Sequence, residues 1–208
     1  MSAGRFITLE GGEGAGKSTQ IRYLASWLTK QRGVEVVITR EPGGSPGAEA
    51  IRGLLVDGAI DRWDAGTEAL LHVAARREHV LGTVLPALER GCWVISDRFA
   101  DSTHAYQGIV QGAGVAFIDS LHQLAVDGLK PDLTLVLDMP VAEGLSRAGA
   151  RGGSDRYERM GPVFHEKLRA AFLSIAAGEP ERCVVIDALG DEETVAQRIE
   201  QAVSARWP

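Results

Sequence analysis

Five short runs of this chain are almost wholly apolar, and each is followed by a stretch with helical periodicity. The runs are Phe6–Leu9, Val34–Thr39, Trp93–Ser96, Leu133–Leu137 and Cys183–Ile186. A strand with one face in water alternates polar and apolar residues, whereas a strand covered on both faces does not. The alternation of such strands with helices predicts an α/β fold: a five-stranded parallel sheet in a three-layer arrangement. The helical stretches run over about Lys17–Gln31, ended by Gly33, then Ala48–Val56 and Asp64–Glu89, bent near Pro86. Further helices are expected over Val115–Val126, Val141–Ala148, Asp155–Ala177 and Glu192–Ala205. Arg40–Gly44 and the region of Gly112 and Gly114 read as loops, and Arg151–Ser154 as a mobile segment. No repeat or linker divides residues 1–208, so a single domain is expected.

The first strand ends at Glu10 and leads into Gly11-Gly12-Glu13-Gly14-Ala15-Gly16-Lys17-Ser18. This string matches G-x-x-x-x-G-K-[ST] in the strand–loop–helix setting that the motif needs. Glycines let backbone N–H groups turn inward around phosphate oxygens. Lys17 would supply a point charge near the β- and γ-phosphates, and the Ser18 hydroxyl can ligate Mg²⁺. The stretch Gly11–Thr19 is therefore the candidate ATP-binding loop.

Such loops serve switches, motors and kinases, so a second constraint is needed. The chain contains no Asn, which rules out the Asn-Lys-x-Asp guanine motif of small GTPases. Its net charge of −6 argues against stable binding to nucleic acid. No apolar stretch approaches membrane-spanning length, and the N-terminus lacks a signal-peptide pattern, so the cytoplasm is the expected location. Cys92 and Cys183 read as buried free thiols. His79, His104, His122 and His165 have no metal-ligand spacing and read as structural or surface residues.

A kinase with a small phosphorylated acceptor must neutralise two sets of phosphates, align them and exclude water. Arginines at strand ends and in a lid suit that task. Arg40 and Arg98 follow strands two and three, and Arg147, Arg151 and Arg156 surround a Gly-Gly turn.

At this point the chain resembles the bacterial thymidylate kinase family along essentially its whole length. The resemblance rests on Glu10–Ser18, Thr39-Arg40-Glu41-Pro42-Gly43-Gly44, Arg52, Ala74-Ala75-Arg76, Asp97-Arg98-Phe99, Ser102–Gly108, Pro131–Thr134 with Asp138, and Arg147–Glu158. It implies a P-loop fold with a lid at about 147–158, transfer of the ATP γ-phosphoryl group to dTMP, Mg²⁺ as cofactor and a homodimer. It also implies an acceptor site built from Glu10, Arg40, Arg52, His72, Arg76, Arg98, Thr103, Tyr106 and Gln107. Thr103 would reach the pyrimidine edge, and Tyr106 would crowd the 2′ position. Catalysis would fall to Lys17, Arg98, Arg151 and Glu10, with Arg147 and Arg151 on ATP and Arg147 and Arg156 supporting the lid. Ser18, Glu10 and Asp97 would attend the metal. His72 stands where relatives usually carry a Phe that stacks on thymine, and Gly149 where many carry Arg. Two alternatives stay open: another nucleoside monophosphate as acceptor, and a nucleotide-binding module without catalysis.

Overall fold

The structure is a computed structural model and describes residues 4–150 and 156–208. Five parallel strands form one sheet in the order β2-β3-β1-β4-β5. They are β1 (Arg5–Gly11), β2 (Val36–Arg40), β3 (Trp93–Asp97), β4 (Leu133–Asp138) and β5 (Cys183–Asp187). Helices α1 (Lys17–Trp27), α2 (Pro46–Val56), α3 (Ala65–His79), α4 (Leu85–Glu89), α5 (Ala100–Thr103), α6 (Val115–Val126), α7 (Val141–Ala150), α8 (Pro162–Gly178) and α9 (Glu192–Arg206) connect and flank them.

The two-residue period of β1 divides its side chains between two cores. Ile7 and Leu9 pack with Leu24 and Leu28 near α1 and with Ile199 and Val203 of α9. Phe6 points the other way, towards Val84, Val94 and Phe99. Thr8 follows Phe6, and its hydroxyl lies 2.8 Å from that of Thr134. Arg182 donates to Thr134 Oγ1 (2.6 Å) and to both Asp101 carboxylate oxygens (2.7 and 2.9 Å). A polar seam therefore crosses this face of the sheet with its groups paired.

Three stretches refine the sequence reading. The stretch Asp64–Glu89 is helical nearly throughout, as expected, but α3 passes through a wide π-type turn at Val80–Val84 before α4. Pro86 has no N–H to give the carbonyl four residues back, and the ladder loosens just before it. Residues 100–110, to which the sequence reading assigned no element, form α5 and a π-helical continuation, His104–Val110. The expected helix from Asp155 begins only at Pro162, because Gly161 is extended (ψ 169°), as a residue before proline prefers.

Arg156 therefore lies in a turn, not on a helical surface, and it is fully buried. It pairs with Glu68 of α3, also fully buried, and donates to the Leu55 and Ile60 carbonyls (3.1 and 3.0 Å). Removing one partner of a buried pair strands the other charge. Glu68→Ala is expected to lower unfolding stability by about 3–5 kcal/mol in urea titrations. Adding Arg156→Met should recover much of that loss, whereas simple addition of two penalties would mean the pair is uncoupled.

Candidate active site

All five strands end on the same side of the sheet, and the first three of those ends lead into the site. Gly11, ending β1, opens the phosphate loop; Arg40 and Glu41 follow β2, and Asp97 and Arg98 follow β3. In open parallel sheets this carboxyl edge is where ligands sit. A cavity of about 440 Å³ opens there. The loop residues Glu13–Ser18 line it, together with Arg40, Arg52, His72, Arg76, Asp97, Arg98, Thr103, Tyr106 and Gln107. Those residues are scattered through the chain, and the fold brings them together.

The phosphate loop packs against α7 through a backbone contact. A Cβ on Gly14 would sit 1.8 Å from the Gly144 carbonyl oxygen, and one on Gly144 would sit 2.5 Å from the Glu13 carbonyl oxygen. Only a glycine pair permits that approach. The helix that leads to residue 150 thus rests directly on the loop. Lys17, starting α1, turns back and donates to the carbonyls of Gly11 (3.1 Å) and Gly12 (2.9 Å). Burial and the nearby Arg98 charge lower its pKa. Ser18 is exposed, and its hydroxyl donates to Asp97 Oδ2 at 3.1 Å.

Arg98 adopts φ 71°, a left-handed conformation that costs a non-glycine residue roughly 1–2 kcal/mol. Its surroundings hold it there. Nη2 donates to Glu13 Oε1 at 2.7 Å, and Nη1 donates to the Gly11 carbonyl and Ser102 Oγ, both at 3.1 Å. The guanidinium carbon lies 5.3 Å from the Tyr106 ring centroid, and the Tyr106 hydroxyl donates to Glu13 Oε1 (2.9 Å). For Glu13, burial favours the neutral acid, but Arg98, Lys17 and Tyr106 outweigh it and bring the pKa down to about 2. Glu13 is thus a fixed anion bracing Arg98.

Arg76 on α3 is buried and donates to Glu41 Oε2 (2.8 Å), the Phe99 carbonyl (3.1 Å) and Thr103 Oγ1 (2.9 Å). Arg52 donates to the Pro42 carbonyl (2.6 Å), exposed Arg40 pairs with Glu49, and Gln107 donates to Glu68 Oε1 (2.6 Å). His72 lies 2.8 Å from the Tyr157 hydroxyl through Nε2. Burial, and then the charges of Arg76, Arg156 and Arg98, push its pKa down to about 3, so the imidazole is neutral.

Not every expected residue reaches the cavity. Glu10 lies beneath it, fully buried, accepting from Phe99 N (2.8 Å), Ser102 N (3.3 Å) and Ser102 Oγ (2.6 Å). Arg147 is exposed on α7, paired with Glu143 one turn away (2.6 Å), and does not line the cavity. Thr19 and Gly11–Gly12 are also outside its lining. Arg151 lies outside the described residues. Sequence reasoning gave no role to Glu41, Ser102, Tyr157 or Glu158, which line the cavity. All four stood within the stretches that carry the resemblance, but none had a role of its own there; Tyr157 reaches the site through the turn after residue 155.

A parallel sheet with this strand order, a glycine loop curled over a lysine, and buried arginines around one cavity define a P-loop phosphotransferase of the nucleoside monophosphate kinase class. Comparison with known proteins narrows this. The family model described as thymidylate kinase matches residues 9–199. A thymidylate kinase of Caulobacter vibrioides is 55% identical over 206 residues, covering 99% of each chain. One of Rhodopseudomonas palustris strain CGA009 is 55% identical over 98% of this chain and 90% of its own. The crystal structure of thymidylate kinase from Ehrlichia chaffeensis superposes with a TM-score of 0.79 at 35% identity, covering 97% of this chain and 99% of that one. The chain belongs to the thymidylate kinase family.

Glu10 gives the site a pH signature. Burial, and then the Asp101 charge, raise its pKa to about 7, although Arg98, Ser102 and the Phe99 N–H oppose the shift. An acid whose folded pKa exceeds its unfolded value loses stability as it ionises. Its contribution is greatest below the ordinary carboxylate value of 4.5 and declines as pH rises through about 7. Glu13 acts in a separate window, losing its contribution as pH falls from 4.5 through about 2. Urea titrations at about pH 5 and about pH 8 are expected to show a decline that Glu10→Gln largely removes. An unchanged pH slope in that variant would show that Glu10 does not titrate there.

Proposed function

We propose that this chain transfers the γ-phosphoryl group of ATP to dTMP, giving dTDP and ADP on the route to dTTP. The observation that carries this reading is the convergence of Lys17, Arg76 and Arg98 on one cavity in a chain that belongs to this family along nearly its whole length. The loop Gly11–Thr19 would hold the ATP phosphates, with Lys17 beside the β- and γ-phosphates. Arg52 and Arg40 would serve the acceptor phosphate, and Arg76, hydrogen-bonded to Thr103, would contact the acceptor. Arg98, already fixed by Glu13, would meet charge that develops between donor and acceptor without reorganising. Thr103, Gln107 and Tyr106 would border base and sugar, and the neutral His72 would lie against the base.

Mg²⁺ fits the donor set. Ser18 and Asp97 offer adjacent hard oxygen ligands, and no cluster of three or more His, Cys, Asp or Glu residues forms a closed cage among the described residues. That matches a cation held by few protein oxygens together with phosphates and water. When bound, it would neutralise phosphate charge. We place Asp97 and Ser18 nearest to it and keep Glu10 as a buried acid that orders Ser102 and the backbone after β3. Arg151, with Arg147, is read as the lid cation that would complete the donor side.

We also read residues 1–208 as one domain working in the cytoplasm as a homodimer. Free, buried Cys92 and Cys183 suit a reducing compartment. No helix among the described residues is long and apolar enough to cross a membrane. Leu70 and Leu81, in and just beyond α3, and Phe117 and Leu124 of α6 are exposed, Leu124 by 80%. The two helices pack side by side, and such a shared apolar face favours a partner.

ADP release measured with ATP, Mg²⁺ and each of dTMP, dUMP, dCMP, dGMP and UMP is expected to favour dTMP. Preference for another acceptor would overturn the substrate, and no acceptor-dependent ADP would overturn the kinase reading. Arg98→Ala and Arg151→Ala should each lower kcat by about a hundredfold or more. Wild-type kcat in either would remove that residue from the chemistry. Leu124→Glu should convert a dimer to a monomer in analytical ultracentrifugation, and an unchanged sedimentation coefficient would reject this face as the interface.

A further inference from the structure

Arg98 is one of two non-glycine residues with positive φ among the described residues, and the one of the two that lines the cavity. The other, Asp127, ends α6, where a left-handed residue is an ordinary helix stop. No helix ends at Arg98, which follows β3 directly. A strained conformation of this kind persists only where its surroundings over-determine it. The bonds to Glu13, Gly11 and Ser102 fix where the guanidinium ends. The backbone twist itself is set by the two peptide planes on either side of the Arg98 Cα.

Each of those planes is held at both ends. In the plane before the Cα, the Asp97 carbonyl accepts from Glu41 N (2.9 Å), and the Arg98 N–H donates to the Leu9 carbonyl (3.0 Å). Both partners are backbone groups, which nearly any sequence would supply. In the plane after the Cα, the Arg98 carbonyl accepts from Ser96 Oγ (2.8 Å), and the Phe99 N–H donates to Glu10 Oε1 (2.8 Å). Here both partners are side chains, so the second plane depends on which residues stand there. Ser96 pairs in register with Thr8, and Glu10 stands two residues beyond Thr8, so both side chains leave the same face of the sheet. Both residues are fully buried and neither lines the cavity, so water does not compete for these bonds. A carbonyl only accepts, so the single hydroxyl hydrogen of Ser96 is committed to Arg98.

We propose that Ser96 is a positioning residue for phosphoryl transfer: its hydroxyl pins the Arg98 carbonyl and, with Glu10 on the neighbouring N–H, locks the peptide plane that keeps Arg98 left-handed and aims its guanidinium into the cavity. The inference rests on the reading above that Arg98 meets the charge developing between donor and acceptor. Without the Ser96 hydroxyl, that plane is held at one end only, and the strained twist has a path to relax towards negative φ. Stabilisation of developing charge depends on donors held in place beforehand, so a displaced guanidinium lowers kcat. Ground-state binding of either substrate draws on the phosphate loop and the other arginines, so KM changes little. A serine that merely ended β3 would cost stability without a kinetic effect that runs through Arg98.

The test is steady-state kinetics with dTMP and ATP varied separately, alongside thermal melting, for wild type, Arg98→Ala, Ser96→Ala, Ser96→Cys and the double variant Ser96→Ala/Arg98→Ala. Ser96→Ala should lower kcat about tenfold, the upper size of one lost hydrogen bond, with both KM values close to wild type. Ser96→Cys has nearly the same shape but is a weak donor, and its kcat should lie between those of Ser96→Ala and wild type. In the Arg98→Ala background, Ser96→Ala should cost nothing further, because the hydroxyl acts through Arg98. If Arg98→Ala lowers kcat while Ser96→Ala does not, the reading of Arg98 stands and the positioning role is overturned. If Arg98→Ala leaves kcat at the wild-type value, the reading of Arg98 itself fails. An equal loss from Ser96→Ala with and without Arg98, tracking the fall in melting temperature, would make Ser96 structural and overturn the inference. If Ser96→Ala does not fold, Ser96→Cys decides by the same criterion.

Discussion

The site depends on burying cations that cannot be discharged. An arginine stays ionised at any ordinary pH, so its burial must be offset by acceptors in fixed places. Arg98 is met by Glu13, Gly11 and Ser102, and Arg76 by Glu41, Phe99 and Thr103. Arg156, further out, is met by Glu68 and two carbonyls. Each acceptor set joins elements remote in sequence: the phosphate loop to the segment after β3, α3 to the loop after β2, and the turn after residue 155 to α3. The contacts that allow these cations to be buried are also the contacts that assemble the cavity. Preorganisation here is a by-product of charge satisfaction, and it leaves little reorientation for substrate to drive.

Backbone proximity does complementary work where side chains would be in the way. Gly14 and Gly144 bring the phosphate loop and α7 into direct contact, and α7 runs on to Ala150. A displacement of α7 therefore cannot leave the loop unaffected. The turn at Arg156–Met160 is tied separately to α3 by Arg156.

Much of this was legible in the sequence, for identifiable reasons. The strands were clear because two-sided burial leaves uninterrupted apolar runs, and the phosphate loop because its glycines and lysine serve local backbone geometry. Val115–Val126 matched the expected helix because its start and end are both set by nearby turn residues. The failures had non-local causes. Arg156 carries no local mark of burial; its fate is decided by Glu68, 88 positions away. The helix at Ala100–Thr103 has modest intrinsic propensity, and Glu10 supports its start by accepting from Phe99 and Ser102. His79, read as structural or on the surface, is buried, and only tertiary pairing with Thr39 and Glu41 decides between the two.

The charge around the cavity shows why the described residues alone do not complete the chemistry. Lys17, Arg40, Arg52, Arg76 and Arg98 line it, against Glu13, Glu41, Asp97 and Glu158. The balance is close to neutral, which lets the cations be buried in the absence of substrate. Two phosphorylated ligands bring several negative charges into the same space, and five cations already shared with four acids cannot compensate them fully. The remaining positive charge has to arrive with the substrates or close over them. On the proposed reading, a metal carried on ATP and Arg151 would be the two sources. A cavity balanced before binding and short of positive charge after it would assemble its full electrostatic field only when both ligands are present, and that requirement also disfavours transfer to water.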